Sequence, residues 1–576
     1  FSAQEHLRYG WGNWYFYHRE TYDERVVMVA PTLPADLAGD EAWTACLRVA
    51  HPARLSPLDP SAFDPDDARQ RLLDHLRATT LEPFGCAHLP LATAAAGAAL
   101  RYLQENQLSD LSHLRGLRTH NPQATIALDG VTRRNLELTG SLREGKVEGS
   151  LLGVLDHTLT PMGARLLRRW IQQPLLDLDR IRERLDAVEE MVGKPGQGAG
   201  ERRGGSGFLR ADLRRHLDGL HDVERLVGRV GFGTAHGRDL AALRRALGRI
   251  PPIKRVLKGA RSPRLQALNE HLDDLQDVAA LIARALVDRP PTLLKEGGLI
   301  RPGYNEELDR LRRTAAEGRE WLAAYEAQER ERTGIPTLRV RYNQIFGFFL
   351  EVPRSKADRV PPEYERRATI THAERFVTPE LKTREAEILA AEDRANELEY
   401  ELFVDLRRGV AAHTDRLQRA ARVLAELDVL TTLAEVAARY GYTRPVVDES
   451  TVVEIKEGRH PVVERTMPEG ARFVPNDTRL DGASQRLWII TGPNMSGKSV
   501  YIRQAALIVL MAQMGSFVPA ASARVGLVDR IFVRAGATDD ITQGRSTFLV
   551  EMSETAYILR HATPRSLVVL DEVGRG

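Results

Sequence analysis

Cysteine is nearly absent. Only Cys46 and Cys86 occur among 576 residues, which gives no CxxC pair and no disulfide framework and favours a reducing, intracellular setting. Long apolar runs are missing too: no stretch of roughly 18 uncharged apolar residues occurs, so no membrane span is expected. Phe1–Glu20 mixes charge with aromatics instead of presenting the apolar run of a signal peptide. Nor is there an excess of charge. Lys plus Arg number 81 against 79 Asp plus Glu, so any contact with nucleic acid must come from local patches. No internal repeat of fixed period is found. The chain starts without Met and stops at Gly576 inside what reads as an unfinished motif, so both ends read as cut.

What is present is ordinary globular composition, 43% hydrophobic and 28% charged, in a chain long enough for about three to five domains. Val26–Ala30 is a short apolar run with the look of a buried strand, and Asp67–Leu76 and Leu91–Leu103 read as helices. From Val147 to about Ile250 the pattern is helical, with Leu151, Leu155, Leu166, Leu167 and Trp170 at helical spacing. Lys194–Gly207 is Gly-rich and reads as a surface loop. Glu306 to about Arg332 reads as a charged helix with Leu308, Leu311, Leu322 and Tyr325 on its apolar side. Pro336–Val352 then turns β-rich, with Leu338, Val340 and Tyr342 alternating against Arg339, Arg341 and Asn343. Helix returns near Pro379 and meets no proline until Pro445. As one unbroken helix of about 60 residues it would run roughly 90 Å. A β-rich insert between two helical arms suggests a lever with a tip. After Pro445 the chain reads as α/β, with strand candidates at Val452–Ile455, Leu487–Ile490, Arg530–Val533 and Leu567–Leu570 and an amphipathic helix from Lys498 to about Met514.

Gly492-Pro493-Asn494-Met495-Ser496-Gly497-Lys498-Ser499 fits GxxxxGK[ST] between a strand candidate and a helix, the context that a phosphate-binding loop requires. Glycines let backbone N–H groups curve round phosphates, and the helix N-terminus adds a favourable dipole. Lys498 is placed for the β- and γ-phosphates of ATP or ADP, and Ser499 offers a hydroxyl to Mg²⁺. Ser566–Leu570 is an apolar strand ending in Asp571 and Glu572. Asp571 suits Mg²⁺ in the Walker B role, and Glu572 suits orienting or deprotonating the attacking water. The bland alternatives are a Gly-rich turn and a solvated acidic pair.

These residues resemble the MutS family of DNA mismatch-repair proteins. The resemblance rests on Thr491–Met495, on Gly544–Phe548 with Val550–Met552, on Asp571–Gly576 and on Gly458–Glu464. Further upstream it rests on Arg133–Leu138, Thr160–Leu167, Gly334–Leu338, Tyr342-Asn343 and Phe346-Gly347, and it covers roughly 63–576. It implies a multidomain α and α/β chain: part of a connector domain (1–122), a helical core with a first lever (123–332), a DNA clamp (333–380), a second lever (381–444) and a P-loop ABC-type ATPase domain (445–576). It implies a Mg²⁺-dependent ATPase working as a homodimer with composite sites, in which Ser546 reaches the γ-phosphate held by the other subunit and Phe473 stacks on adenine. A buried strand residue remains the alternative for Phe473, and a turn serine for Ser546. Val500 stands where the family usually has Thr. Mismatched double-stranded DNA and a MutL-type protein are the implied partners, and a bacterial cytoplasmic, nucleoid-associated location follows from the same source.

The family's Phe-x-Glu mismatch reader is not found, since Phe16 is followed two residues later by His18, and Phe1–Glu24 match nothing recognisable. In the clamp, Arg339, Arg341, Arg366, Arg367, Arg375 and Lys382, with Arg354 and Lys356 beside them, supply cations suited to sequence-independent phosphate contact. Interspersed Glu351, Asp358, Glu363, Glu365 and Glu374 leave a solvated charged face as the alternative. The leading expectation is a mismatch-repair ATPase that switches a DNA clamp. The competing ones are a paralogue acting on branched or recombining DNA and a non-enzymatic DNA-binding fragment.

Overall fold

The computed structural model describes residues 15–18, 25–28, 58–84, 86–106, 111, 114, 117, 124–193, 206–292, 297–343, 347–369, 372–468, 470–493, 496–535 and 547–572. Asn494, Met495, Ser546, Cys46 and most of the Lys194–Gly207 loop lie outside them. The protein is mostly helical with several small sheets. Tyr15–His18 and Arg25–Met28 pair as an antiparallel hairpin, so the apolar run at Val26 is a strand. Helices α1 (Pro65–Leu76) and α2 (Pro90–Asn106) follow, then α3 (Gly130–Asn135), α4 (Pro161–Gln172) and α5 (Leu178–Val192). Asp64, Asp129, Thr160 and Asp177 cap four of these helices, each side chain accepting a first-turn N–H. Shorter helices run from Ser206 to Ala285 before α6 (Glu306–Thr333). Four strands come next, β1 (Arg339–Asn343), β2 (Gly347–Pro353), β3 (Glu365–Thr369) and β4 (Ala373–Val377), and then α7 (Pro379–Ala411) and α8 (Thr414–Tyr440). The remaining elements are β5 (Val446–Asp448), β6 (Val453–Gly458), β7 (Asn476–Leu480), α9 (Lys498–Met514), β8 (Ser522–Gly526), β9 (Arg530–Arg534), α10 (Thr547–His561) and β10 (Ser566–Leu570).

The chain forms two compact units. One comprises residues 226–248 and 275–414. Its sheet is antiparallel in the order β1-β2-β4-β3. Leu350, Val352 and Phe376 from the sheet pack with Leu322 and Tyr325 of α6 and with Leu381 and Ile388 of α7. The alternation marks a real strand and holds at Leu338 and Val340, which pack with the flanking helices, but fails at Tyr342, which is 52% exposed. Burying such a cluster contributes about 1.5–3 kcal/mol per large side chain. The helical run after Pro379 is not continuous. It breaks at Ala412–His413, where the Thr414 hydroxyl takes the Ala411 carbonyl at 2.7 Å. A side chain that bonds a backbone carbonyl of its own turn competes with the helical ladder there.

The other unit comprises residues 1–225, 249–274 and 415–576. It holds a four-stranded sheet in the order β5-β8-β6-β7 and a parallel pair, β9 with β10. The second edge of β9 is not left open: Val533 N–H donates to the Thr132 hydroxyl at 2.9 Å, and the Asn135 amide donates to Val533 O at 2.9 Å. The α8 helix is tied to the start of α4 by Asp428, which is wholly buried. Its carboxylate accepts Thr160 N at 2.8 Å, Thr160 Oγ1 at 2.6 Å and Leu159 N at 3.0 Å. Gly163 is required beside it, because a Cβ there would stand 2.2 Å from Asp428 Oδ2.

Two expectations for this unit need correction. Leu487–Ile490 forms no strand, and Leu487 and Ile489 are 78% and 83% exposed. A strand exists only when its N–H and C=O groups find a ladder, and no described backbone pairs with this run. The α9 helix is also not amphipathic. Every residue from Gln504 to Met514 is buried, as befits a helix apolar all round.

Candidate nucleotide-binding site

Gly497, at φ +90°, opens α9, and Lys498 and Ser499 are its first two residues, both half-buried. A left-handed φ at that point is open to glycine and strained for other residues. The Lys498 ammonium donates to Gly492 O at 2.7 Å and to Pro493 O at 2.8 Å, so it curls into its own loop. Gly492 sits close beneath it: a Cβ would lie 3.1 Å from Ser496 Oγ. These are solvent-facing contacts between a cation and neutral oxygens, weaker than the charge-assisted bond an ammonium makes to an anionic oxygen.

The helix behind the loop is fixed at its far end. Gln513 is fully buried. Its amide donates to Leu175 O and Val528 O, both at 3.0 Å, and its carbonyl accepts Val528 N at 2.8 Å. Arg184 on α5 donates to Met514 O at 2.9 Å and lies 3.3 Å above the Trp170 ring. Gly515, at φ +85°, turns the chain where a Cβ would stand 2.6 Å from that of Arg184. The sequence reasoning missed these groups. The available signal was Gln513 inside the apolar run Ala505–Met514, since a buried polar side chain is usually retained with a partner.

On one flank, Tyr501 hydrogen-bonds Asp477 O and Thr478 Oγ1, both at 2.9 Å. This ties the first turn of α9 to β7 and to the segment carrying Phe473, which is half-buried just ahead of that strand. Behind the helix, His460 is buried with Nδ1 accepting Val462 N and Val463 N. Burial, and secondarily the Arg503 cation, push its imidazole down to about 4. On the other side α9 packs against β10. Asp571 follows β10, its N–H donating to Arg534 O at 2.8 Å. Glu572 is exposed with φ +54°, an uncommon backbone for a residue with a Cβ. Gly492, Pro493, Ser496, Gly497, Lys498 and Ser499 thus form the loop and first turn of α9, and Asp571 and Glu572 follow β10, the strand against which α9 packs.

The sheet β1–β4 treats the six expected DNA-contacting cations unequally. Arg341 pairs with Glu351 at 3.2 Å, Arg366 with Glu374 at 3.0 Å and Arg367 with Glu365 at 3.3 Å. Arg375 lies over the Phe349 ring at 4.6 Å and within 4.0 Å of Glu351. Arg339 and Lys382 are exposed with no ion pair among the described residues. The same holds for Arg354 and Arg359 at the two ends of a short turn, Arg354–Arg359, with half-buried Lys356 between them.

Fold and loop together define a multidomain, mostly helical protein with a phosphate-loop sequence at the head of a buried helix. Family models match residues 51–115 (MutS domain II), 131–434 (MutS domain III) and 488–576 (MutS domain V). Similar curated proteins include the DNA mismatch repair protein MutS of Symbiobacterium thermophilum, 51% identical over 94% of this chain and 61% of that protein. Those of Ruminiclostridium cellulolyticum (46%, over 99% of this chain and 63% of that protein) and Thermosynechococcus vestitus (49%, over 90% and 58%) carry the same name. The chain belongs to the MutS family. It spans about three-fifths of the length of these relatives.

Proposed function

We propose that the chain acts in DNA mismatch repair as a Mg²⁺-dependent ATPase whose nucleotide state switches a dimeric DNA clamp. The observation that carries this reading is the Lys498 ammonium held by Gly492 and Pro493 carbonyls at the head of a buried, anchored helix. The donor set fits a nucleotide with its metal: Lys498 and the loop N–H groups for phosphate oxygens, the Ser499 hydroxyl and the Asp571 carboxylate for a hard cation. When bound, Mg²⁺ supplies neutralisation of phosphate charge. Lys498 gives up its two carbonyls to hold the phosphates, and Glu572 orients water and takes its proton at the carboxylate. Phe473 stacks on adenine, and Ser546 completes the site of a second copy.

The 445–576 region then serves as the ATPase domain, α6 with the α7–α8 run as levers, and 333–380 as the clamp. In the clamp, Arg339 and Lys382 with Arg354, Lys356 and Arg359 hold backbone phosphates, and the ion-paired Arg341, Arg366, Arg367 and Arg375 shape the sheet. The presence of that sheet favours the mismatch-repair branch over a paralogue for branched DNA. A MutL-type protein is the proposed downstream partner, in the bacterial cytoplasm at the nucleoid. The test is ATP-driven release from a mismatched duplex: Lys498→Ala abolishes it while leaving duplex binding intact. Unchanged release would contradict the reading.

A further inference from the structure

Arg133 and Arg134 belong to a motif that the loop at Gly492–Ser499 leaves unexplained. Both lie in the last turn of α3 and are exposed. They line an open groove of about 430 Å³ together with the turn Thr139–Gly145 and the amide of Gln172 at the end of α4. No carboxylate lines this groove. Neither arginine has an ion pair among the described residues, in a chain where cations and acids are nearly equal in number.

The nearby acids are engaged elsewhere. Glu137 accepts Leu142 N at 2.7 Å and stands 4.0 Å from the Arg503 guanidinium. Glu144 pairs with Lys146 at 2.8 Å, and Glu554, which feels the charge of Arg134, lies 3.0 Å from Arg534. The floor is a self-bonded turn carrying hydroxyl side chains. Ser141 N donates to Lys146 O and Gly145 N to Ser141 O, both at 2.8 Å, so the turn holds its own shape. Gly145, at φ +67°, adds no Cβ to it. The hydroxyls of Thr139 and Ser141 and the Gln172 amide have no side-chain hydrogen bond among the described residues and are half-buried at the groove.

Two guanidinium forks with no ion pair among the described residues, beside hydroxyl and amide donors, match the tetrahedral, multiply accepting shape of phosphate better than a single point charge would. We propose that this groove is a second phosphate-binding site, separate from the Gly492–Ser499 loop, that takes a phosphate group of a nucleic-acid backbone or of a nucleotide. It does not depend on the function proposed for the loop.

The experiment titrates the chain with inorganic phosphate by calorimetry and ³¹P line broadening. Two saturable classes are expected. Lys498→Ala removes one, and Arg133→Gln with Arg134→Gln removes the other without changing the thermal midpoint, because both side chains are exposed. Arg133→Lys with Arg134→Lys keeps the charge without the fork and weakens phosphate binding less than the glutamine pair does. The source is then assigned with a short duplex and with ADP. If backbone phosphate is the ligand, the glutamine pair lowers the salt slope of duplex binding by about 2, at about 0.9 per contact, and leaves ADP affinity unchanged. If a nucleotide is the ligand, ADP affinity falls and the slope stays. Neither change assigns the site to free phosphate. A single phosphate class lost only in Lys498→Ala, or a second class untouched by the glutamine pair, overturns the proposal.

Discussion

The two ends of α9 differ in kind. At Met514 the helix is bonded through Gln513 and Arg184 to Leu175, Val528 and the Trp170 face, all within a buried setting. At Lys498 it meets solvent, and among the described residues its charged side chain bonds two carbonyls of the adjoining loop. One end is a foundation and the other an exchangeable contact. Ligand-binding segments are drawn from the less stable parts of a fold, and they need a rigid scaffold to be positioned at all. A helix with one bolted end and one open end meets both requirements.

The contrast breaks most visibly at the bolted end. Gln513→Ala strands a buried N–H and two buried carbonyls, and at about 1–3 kcal/mol per unpaired group it costs on the order of 4 kcal/mol, read as a fall in the urea midpoint. At the open end, Lys498→Ala leaves that midpoint unchanged and weakens nucleotide binding by about 100-fold, the loss of charge-assisted bonds worth roughly 3 kcal/mol. Acid sharpens the comparison next. The folded His460 imidazole stays neutral down to about 4, whereas the unfolded one titrates at 6.5. The unfolded chain therefore takes up the proton first as pH falls. The stabilisation is complete above pH 6.5 and is lost towards pH 4, by up to about 3 kcal/mol. Chemical denaturation at pH 7 and pH 4.5 reads this, and His460→Gln flattens the dependence. The smallest effect is expected at Tyr501→Phe, which removes the half-buried link to Asp477 and Thr478 for about 1 kcal/mol and shifts the thermal midpoint by a few degrees.

Legibility in the sequence followed the range of the forces involved. The bounds of α9, β9 and β10 were visible because glycine, apolar runs and terminal acids act locally, and β1 was visible from its two-residue alternation. The Leu487–Ile490 run carries the same apolar signal, yet strand formation depends on a neighbour that composition does not reveal. The break at Ala412–His413 carries no proline, and the nearby glycine, Gly409, lies inside α7. Least legible were the buried polar bonds. Asn135 meets Val533 across 398 residues and Gln513 meets Leu175 across 338, so no local window contains both partners. In the candidate site the loop residues were readable from their spacing, and Tyr501 and Arg184 emerged only with the fold. Four of the six clamp cations pair with glutamates of the same sheet, Arg341, Arg366 and Arg375 across strands and Arg367 with Glu365 on its own strand, and the cross-strand pairings depend on a register that composition does not reveal.

The most direct test crosses the two ends of α9 by measuring Mg²⁺–ATP affinity and thermal midpoint together for the unaltered chain, Lys498→Ala and Gln513→Ala. The account predicts saturable binding by the unaltered chain, lost affinity with an unchanged midpoint for Lys498→Ala, and a lowered midpoint with affinity retained below it for Gln513→Ala. Equal nucleotide affinity in the unaltered chain and Lys498→Ala would contradict it.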